Sequence, residues 1–194
     1  MKIATNLTVV LTLFLGLSVR PALAEQEGLA ASIDTAVKQA TDLRLQATTL
    51  AKSGDFITAD EMFTQSIEIA RSVDDAKSRD WTLLFIATAQ ARAGSIYAGI
   101  DTANSIEVEA YQHWALADIA PIQAAGGDLN GALETASNIP EGDTRSRAYG
   151  GIAIHQARLG QVMQAGIIAD KISEPDVKFR AYVAITRAMA AQGR

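Results

Sequence analysis

Apolar and small residues recur along the chain at helical spacing, and single glycines interrupt them at regular points. Three segments that begin at Ile86, Ile119 and Ile152 follow the same order. Each runs from isoleucine through small residues to a glycine-containing turn, then through a second apolar stretch that ends in isoleucine. No stretch of useful length after residue 24 alternates as a strand does. Each segment therefore predicts two helices joined by a tight turn, and the chain is predicted to be all-α.

The glycines after the first helices define a repeat. They are Gly54, Gly94, Gly127, Gly160 and Gly193, separated by 40 residues once and then by 33 residues three times. Position by position, the units agree in chemistry: isoleucine stands eight residues before the glycine in the last four units, and alanine stands three residues before it in every unit. A fixed period in this range is typical of stacked helical hairpins. The longer first interval predicts a second helix about two turns longer than the others.

Residues at the helix ends and on the apolar face allow local predictions. The repeat glycines are expected to end the first helices, because glycine adopts the left-handed conformation at least cost. Asp55, Ser95 and Asp128 follow three of these glycines and are predicted to cap the second helices. A second set recurs on the predicted core face and is expected to bond loop carbonyls: Gln90, Gln123 and Gln156. Pro121 falls inside a first helix and predicts a kink there.

The segment "ATTLAKSGDFITADEMFTQSIEIA", from Ala47 to Ala70, resembles a tetratricopeptide repeat in its small residue, its Gly-Asp-aromatic turn, Ala59 and Phe63. The later units are similar, but their period is 33 rather than the family's 34, and isoleucine replaces a small residue late in the second helix. The resemblance implies a right-handed superhelical solenoid of antiparallel helix hairpins whose first helices line a concave groove for peptides or proteins. The predicted units are 40–76, 80–106, 113–139 and 146–172, with a terminal helix at 179–192.

One stripe of the first helices lies opposite the predicted core face, at 13, 9, 6 and 2 residues before the repeat glycine. Both tryptophans of the chain and several of its cations fall on this stripe. The predicted groove residues are Trp81, Phe85, Arg92, Trp114, Asp118, Arg147, Arg158, Arg180 and Arg187, together with Thr88 and Lys52. Since Trp81, Trp114, Arg147 and Arg180 occupy one column, this ladder would suit a segment with apolar residues followed by acidic ones. The alternative is that the tryptophans pack between helices and the arginines are ordinary solvated positions.

Residues 1–24 predict a secretory signal. Lys2 precedes an apolar run from Leu7 to Val19, and small residues at Ala22 and Ala24 predict cleavage after Ala24. A membrane anchor is the alternative, but the run is shorter than the roughly 20 residues that cross a bilayer. The solenoid is then expected over 25–194, in the periplasm or outside the cell.

Charge and composition narrow the expected partners. Without Lys2 and Arg20, 15 of the 17 basic residues remain against 22 acidic ones, a net charge of −7. Nucleic acid and anionic membrane surfaces are disfavoured, since both call for a clustered basic face. The chain has no cysteine, its two histidines are isolated in sequence, and no phosphate-binding glycine loop occurs. No cofactor or metal site is predicted.

These features predict an exported interaction scaffold that binds a peptide or protein segment in its groove. A binding module for a small molecule or carbohydrate, with the tryptophans as stacking platforms, is the first alternative. An enzyme is the interpretation that the residues favour least. The terminal helix carries Ala190 and Ala191 where a polar outer face would usually cap a repeat array, which predicts weak self-association or partner docking there.

Overall fold

The computed structural model describes residues 6–193, with side chains from residue 25 onward, so the predicted signal segment 1–24 lies outside the fully described residues. The described chain is all-α, as predicted. Its helices are α1 (Asn6–Ser53), α2 (Phe56–Arg71), α3 (Ala76–Arg92), α4 (Ile96–Asn104), α5 (Glu109–Ala125), α6 (Leu129–Ser137), α7 (Asp143–Arg158), α8 (Val162–Ala169) and α9 (Pro175–Ala191). No helix of this part of the chain has the length and apolar character that a bilayer crossing requires.

The odd-numbered helices, termed first helices, contact one another in chain order: α1 with α3, α3 with α5, α5 with α7, and α7 with α9. Each even-numbered, or second, helix contacts the first helix before it and the first helix after it. Within the described residues, no second helix contacts another second helix. The first helices therefore form a continuous row, and residues in the same column of neighbouring first helices can meet.

The predicted core columns are buried in α3, α5 and α7, whereas Gln46 in α1 and Thr186 in α9 are exposed. Ile86, Ile119 and Ile152 are fully buried from solvent. The alanine column seven residues before the repeat glycine is also fully buried at Ala120 and Ala153. Isoleucines at the end of the second helices, such as Ile139, are also buried. The alanine column, called here the small column, lets each second helix approach its first helix closely, because only a methyl group separates the two helices at that point.

The turn predictions hold at the glycines and at two of the three caps. All five repeat glycines have φ between 71° and 102°, a backbone conformation that residues with a Cβ rarely adopt. Asp55 accepts the backbone N–H of Thr58, and Asp128 accepts that of Gly131. The prediction for Ser95 is wrong: its hydroxyl donates to Asp60 at 2.9 Å and caps nothing in α4.

One further local prediction needs correction. The Thr102 hydroxyl donates to Gln90 Oε1 at 2.7 Å, and the Thr135 hydroxyl donates to Gln123 Oε1 at 2.9 Å. These glutamines therefore join the two helices of a pair and do not bond loop carbonyls. Pro121 lies inside α5, which is α-helical from Glu109 to Ala125, and the kink predicted there stays a prediction.

The second helices differ in length as the intervals predict. Helix α2 has 16 residues, whereas α4 and α6 have 9 each. Helix α1, by contrast, begins well before residue 40, where the repeat placed its first unit. Residues 25–39 carry a single glycine and no proline, so nothing in them stops a helix.

Two buried polar side chains, which periodicity did not reveal, each bond a first helix to the loop that follows its second helix. Asp80 is fully buried, and its Oδ2 accepts the backbone N–H groups of Glu107 at 2.9 Å and Val108 at 2.7 Å. Ser146 stands 66 residues later, two repeats on, and its hydroxyl accepts the N–H groups of Ser173 and Glu174. Asp80 and Ser146 thus each accept hydrogen bonds from backbone N–H groups just before the next first helix begins.

Overpacking the small column should destabilise the fold. We expect Ala120→Leu and Ala153→Leu each to lower the free energy of unfolding by about 1–3 kcal/mol, because no space exists for three more carbons. Thr186→Leu is the matched control, since Thr186 occupies the same column in α9 but is exposed. It should change stability by less than about 0.5 kcal/mol. Chemical denaturation measures all three; equal stability of wild type and both alanine variants would show that the column does not form the helix crossing.

The contact of α5 with α7 should be equally intolerant at Gly151. A Cβ added there would lie 2.4 Å from Cγ and 2.9 Å from Cβ of Pro121, a ring that cannot rotate away. We expect Gly151→Ala to cost about 1–3 kcal/mol. Gly166→Ala, in open space within α8, should instead gain about 0.5–1 kcal/mol through helix propensity. Thermal unfolding of the two variants should therefore shift in opposite directions, and a gain at Gly151 would contradict this packing.

Candidate functional site

Four aromatic side chains on α3 and α5 form a cluster at the surface, called here the aromatic patch: Trp81, Phe85, Tyr111 and Trp114. The Trp81 ring centroid lies 5.1 Å from that of Phe85, 5.2 Å from that of Tyr111 and 6.3 Å from that of Trp114. Each of these pairs meets edge to face, and Tyr111 and Trp114 meet at 5.6 Å with tilted rings. Such contacts are the favoured geometry of aromatic pairs.

The helical spacing of the residues explains why the patch forms. Phe85 follows Trp81 by four residues and Trp114 follows Tyr111 by three, so each pair lies on one face of its helix. Trp81 and Trp114 occupy the same column of adjacent first helices, and α3 contacts α5. Because α3 and α5 are neighbours in the row of first helices, the aromatic pair on α3 and the aromatic pair on α5 form one cluster.

The tryptophans are both packed and exposed. Trp81 retains 43% of its accessible surface and Trp114 retains 39%, although each ring contacts two or more others. Neither sequence interpretation was complete: the rings do pack between neighbouring first helices, and a large part of each still faces solvent. Phe85 is similarly exposed at 42%, whereas Tyr111 is half-buried. Exposed aromatic area concentrated at one place is typical of binding surfaces.

At the α7 side, the patch is bounded by an internal ion pair. The Arg147 guanidinium lies 3.2 Å from the Asp118 carboxylate, and it donates to the backbone carbonyl of Trp114 at 3.3 Å. Both side chains are partly exposed, so the pair contributes little to stability. Its effect on the charge of the surface is larger, because Asp118 neutralises Arg147. In the sequence-based prediction, this cation binds an acidic residue of the partner.

At the α1 side, the patch is bounded by Arg44. The guanidinium carbon of Arg44 lies 5.9 Å from the centroid of Phe85, within the range of a cation–π contact. Partial burial removes water from this group and lowers the pKa of Arg44 from its ordinary value. Among residues 25–193, no salt bridge pairs Arg44 with a carboxylate.

The other predicted groove residues lie apart from this cluster. Arg92 and Arg158 are exposed near the ends of α3 and α7, as is Lys52 near the end of α1. Arg180 donates to the carbonyl of Asp176 within its own helix. Thr88 is buried and donates to Leu84, so its assignment to an exposed stripe is wrong.

A second exposed apolar region lies on α9. Phe179 and Tyr182 retain 69% and 40% of their surface, and they line a shallow depression with Val183, Thr186 and Arg187. In the same column as Tyr182, Leu83, Leu116 and Tyr149 are buried. The predicted self-association through this helix stays a prediction.

Sequence reasoning missed two members of the site. Tyr111 lies one helical turn before Trp114, a spacing that could have been used to find it. Arg44 gave no such signal, because its column neighbours Leu84, Ala117, Gly150 and Val183 are not cations, and only the packing of α1 on α3 brings it to Phe85.

The chemistry of the region is apolar and cationic. In the part of the chain with described side chains, no three histidine, aspartate or glutamate residues converge as a metal site would require. The patch offers apolar area, ring edges and one guanidinium over a ring face. Comparison of the chain with protein-family models, with curated proteins and with solved structures found no match.

Proposed function

We propose that the protein is an exported interaction scaffold of the tetratricopeptide-like kind, in which the helix pairs form a right-handed superhelical solenoid. Two observations support this architecture. Among the described residues, each helix contacts only helices of its own pair and of the adjacent pairs, as the units of a repeat array do. The turns recur with positive φ at the same glycine in every unit. The proposal of export is supported by residues 1–24, where Lys2, an apolar run and small residues follow in the order of a secretory signal.

The aromatic patch is the proposed binding surface, and its partner is a peptide or protein segment. The observation that carries this proposal is the partial exposure of both tryptophans within one four-ring cluster. Tryptophan and arginine dominate binding energy more often than other residues, and they do so from clusters at the centre of an interface. Arg44 and Arg147 border the rings at opposite sides.

A carbohydrate ligand is the alternative, since exposed tryptophans can serve as stacking platforms. The ring angles favour the peptide. Trp81 stands at 86° to Phe85 and at 77° to Trp114, so the rings do not form one flat platform and have clefts between them. A sugar ring stacks on an open flat face, whereas leucine or phenylalanine side chains can enter such clefts.

The experiment that tests the proposal is parallel probing of a peptide array and a glycan array with purified protein. We expect retention on peptides rich in apolar side chains, and competition by the same peptides in solution. Phe56→Ala is the control variant, because Phe56 is exposed at 57% on α2 and is not one of the four rings of the patch. Retention on glycans alone would favour the carbohydrate alternative, and retention on neither array would contradict both.

A further inference from the structure

We infer that the partner segment presents a carboxylate to Arg44, at the α1 side of the aromatic patch, with its apolar side chains on the rings of α3 and α5. This inference rests on the proposed function, and it adds the charge of the partner and the side on which that charge lies. It also reverses the order expected from the column of Trp81, Trp114, Arg147 and Arg180, which placed the acidic residues toward α7 and α9.

The argument begins with the two cations that border the patch. Arg147 already has a carboxylate, since Asp118 lies 3.2 Å away, and its guanidinium also bonds the Trp114 carbonyl. A partner carboxylate at that side would have to compete with Asp118 and would be repelled by it. Arg44 has no carboxylate within salt-bridge distance among the residues with described side chains.

The environment of Arg44 makes an external carboxylate more favourable there than at an ordinary surface arginine. Its guanidinium is partly buried and lies over the Phe85 ring, so it has already lost part of its hydration. A charge in such a place attracts an opposite charge more strongly than one in bulk water. Arginine can also bind a carboxylate through two parallel N–H donors, which fixes the orientation of the bound segment.

The placement of Arg44 next to Phe85 then determines what accompanies the carboxylate. Phe85 contacts Trp81, and Trp81 contacts Tyr111 and Trp114, so the apolar surface continues from Arg44 toward α5. A segment bound at Arg44 through an aspartate or glutamate would therefore lay its neighbouring leucine, isoleucine or aromatic side chains along the rings. The recognised chemistry is an acidic residue beside an apolar cluster.

The test uses the full chain and three fluorescein-labelled peptides that share a Leu-Phe-Leu centre. Glutamate residues flank the centre on both sides in the first peptide, glutamine in the second and lysine in the third. Fluorescence anisotropy should show the glutamate peptide binding roughly ten-fold more tightly than the glutamine peptide, with the lysine peptide weakest. This glutamate-to-glutamine ratio should fall as salt rises, because Arg44 is still partly exposed.

Variants locate the effect. Arg44→Gln should bring the ratio close to one, and Arg44→Lys, which keeps the charge, should retain part of it. Arg147→Gln should reduce the ratio less than Arg44→Gln does. Lys171→Gln, which removes one exposed positive charge just after α8, should leave the ratio unchanged, because α8 contacts neither α3 nor α5. Circular dichroism and thermal unfolding of each variant confirm that the fold is kept.

The outcomes separate this inference from the proposed function. If Arg44→Gln keeps the wild-type ratio, or if Arg147→Gln alone removes it, the assignment of the carboxylate to Arg44 is wrong, although the patch can still be the binding surface. If replacement of both tryptophans leaves the binding of all three peptides unchanged, the proposed function itself is wrong. Failure of wild-type protein to bind any of the peptides contradicts both.

Discussion

Replacing both tryptophans of the aromatic patch should reduce the affinity for a bound peptide more than a hundred-fold. Trp81→Ala and Trp114→Ala together remove two of the four rings of the patch and every ring pair within it. A tryptophan at a binding hot spot contributes roughly 2 kcal/mol or more, and each 1.4 kcal/mol is a factor of ten in affinity. Titration of a labelled peptide into wild type and variant measures the effect.

The same double variant should remain folded. Edge-to-face pairs contribute about 0.5–1.5 kcal/mol each beyond their buried area, so some loss of stability is expected. The core columns do not depend on these rings, because Ile86, Ile119 and the alanines beside them lie on the other face of their helices and are fully buried there. Helical circular dichroism should therefore match wild type. Phe56→Ala is the affinity control, and an unchanged affinity in the tryptophan variant would exclude the patch as the binding surface.

The largest effect on stability should come from Asp80→Ala, which we expect to lower the free energy of unfolding by about 3–5 kcal/mol. The substitution leaves the N–H groups of Glu107 and Val108 without their acceptor. It also leaves Arg79 without one of its two carboxylates, since Asp80 accepts from Arg79 Nε at 2.9 Å while Glu107 accepts from the other end of the guanidinium. The hydrogen bond to Asp80 is the main cause of a raised pKa at Arg79, which that carboxylate helps keep charged.

Asp80→Ser provides the matched control, because a serine performs the same task at Ser146. There the hydroxyl accepts the N–H groups of Ser173 and Glu174 from the equivalent loop. We expect Asp80→Ser to restore part of the stability that Asp80→Ala loses, as measured by denaturation in guanidinium chloride. Equal losses for serine and alanine would show that the two N–H groups do not depend on the residue at 80.

The all-α class, the glycine turns and the core columns could be predicted from sequence because each depends on local spacing. A glycine with positive φ follows each first helix, and the core columns before it are buried in α3, α5 and α7. Asp80 shows where such reasoning stops. A charged residue near the start of a helix has the pattern of a solvated position, and its role depends on two backbone groups 27 and 28 residues further along the chain.

The candidate site was predictable in part for the same reason. Trp81 and Trp114 share a column, so their contact across α3 and α5 follows from the repeat. The pairing of Arg147 with Asp118 and the position of Arg44 over Phe85 depend on how neighbouring first helices are rotated against each other. A single column of residues does not contain that rotation, so the sequence could not predict that Asp118 pairs with Arg147 or that Arg44 lies over Phe85.

The central claim, that the exposed aromatic patch binds a peptide segment, is tested most directly by acrylamide quenching of tryptophan fluorescence with and without the glutamate peptide. The peptide contains no tryptophan, so the signal reports Trp81 and Trp114 alone. We predict clear quenching in the free protein, because 43% and 39% of the two side chains are exposed. Saturating peptide should lower the quenching constant by covering the rings. Quenching that stays the same while the peptide is bound would contradict the account, since the peptide would then occupy another surface.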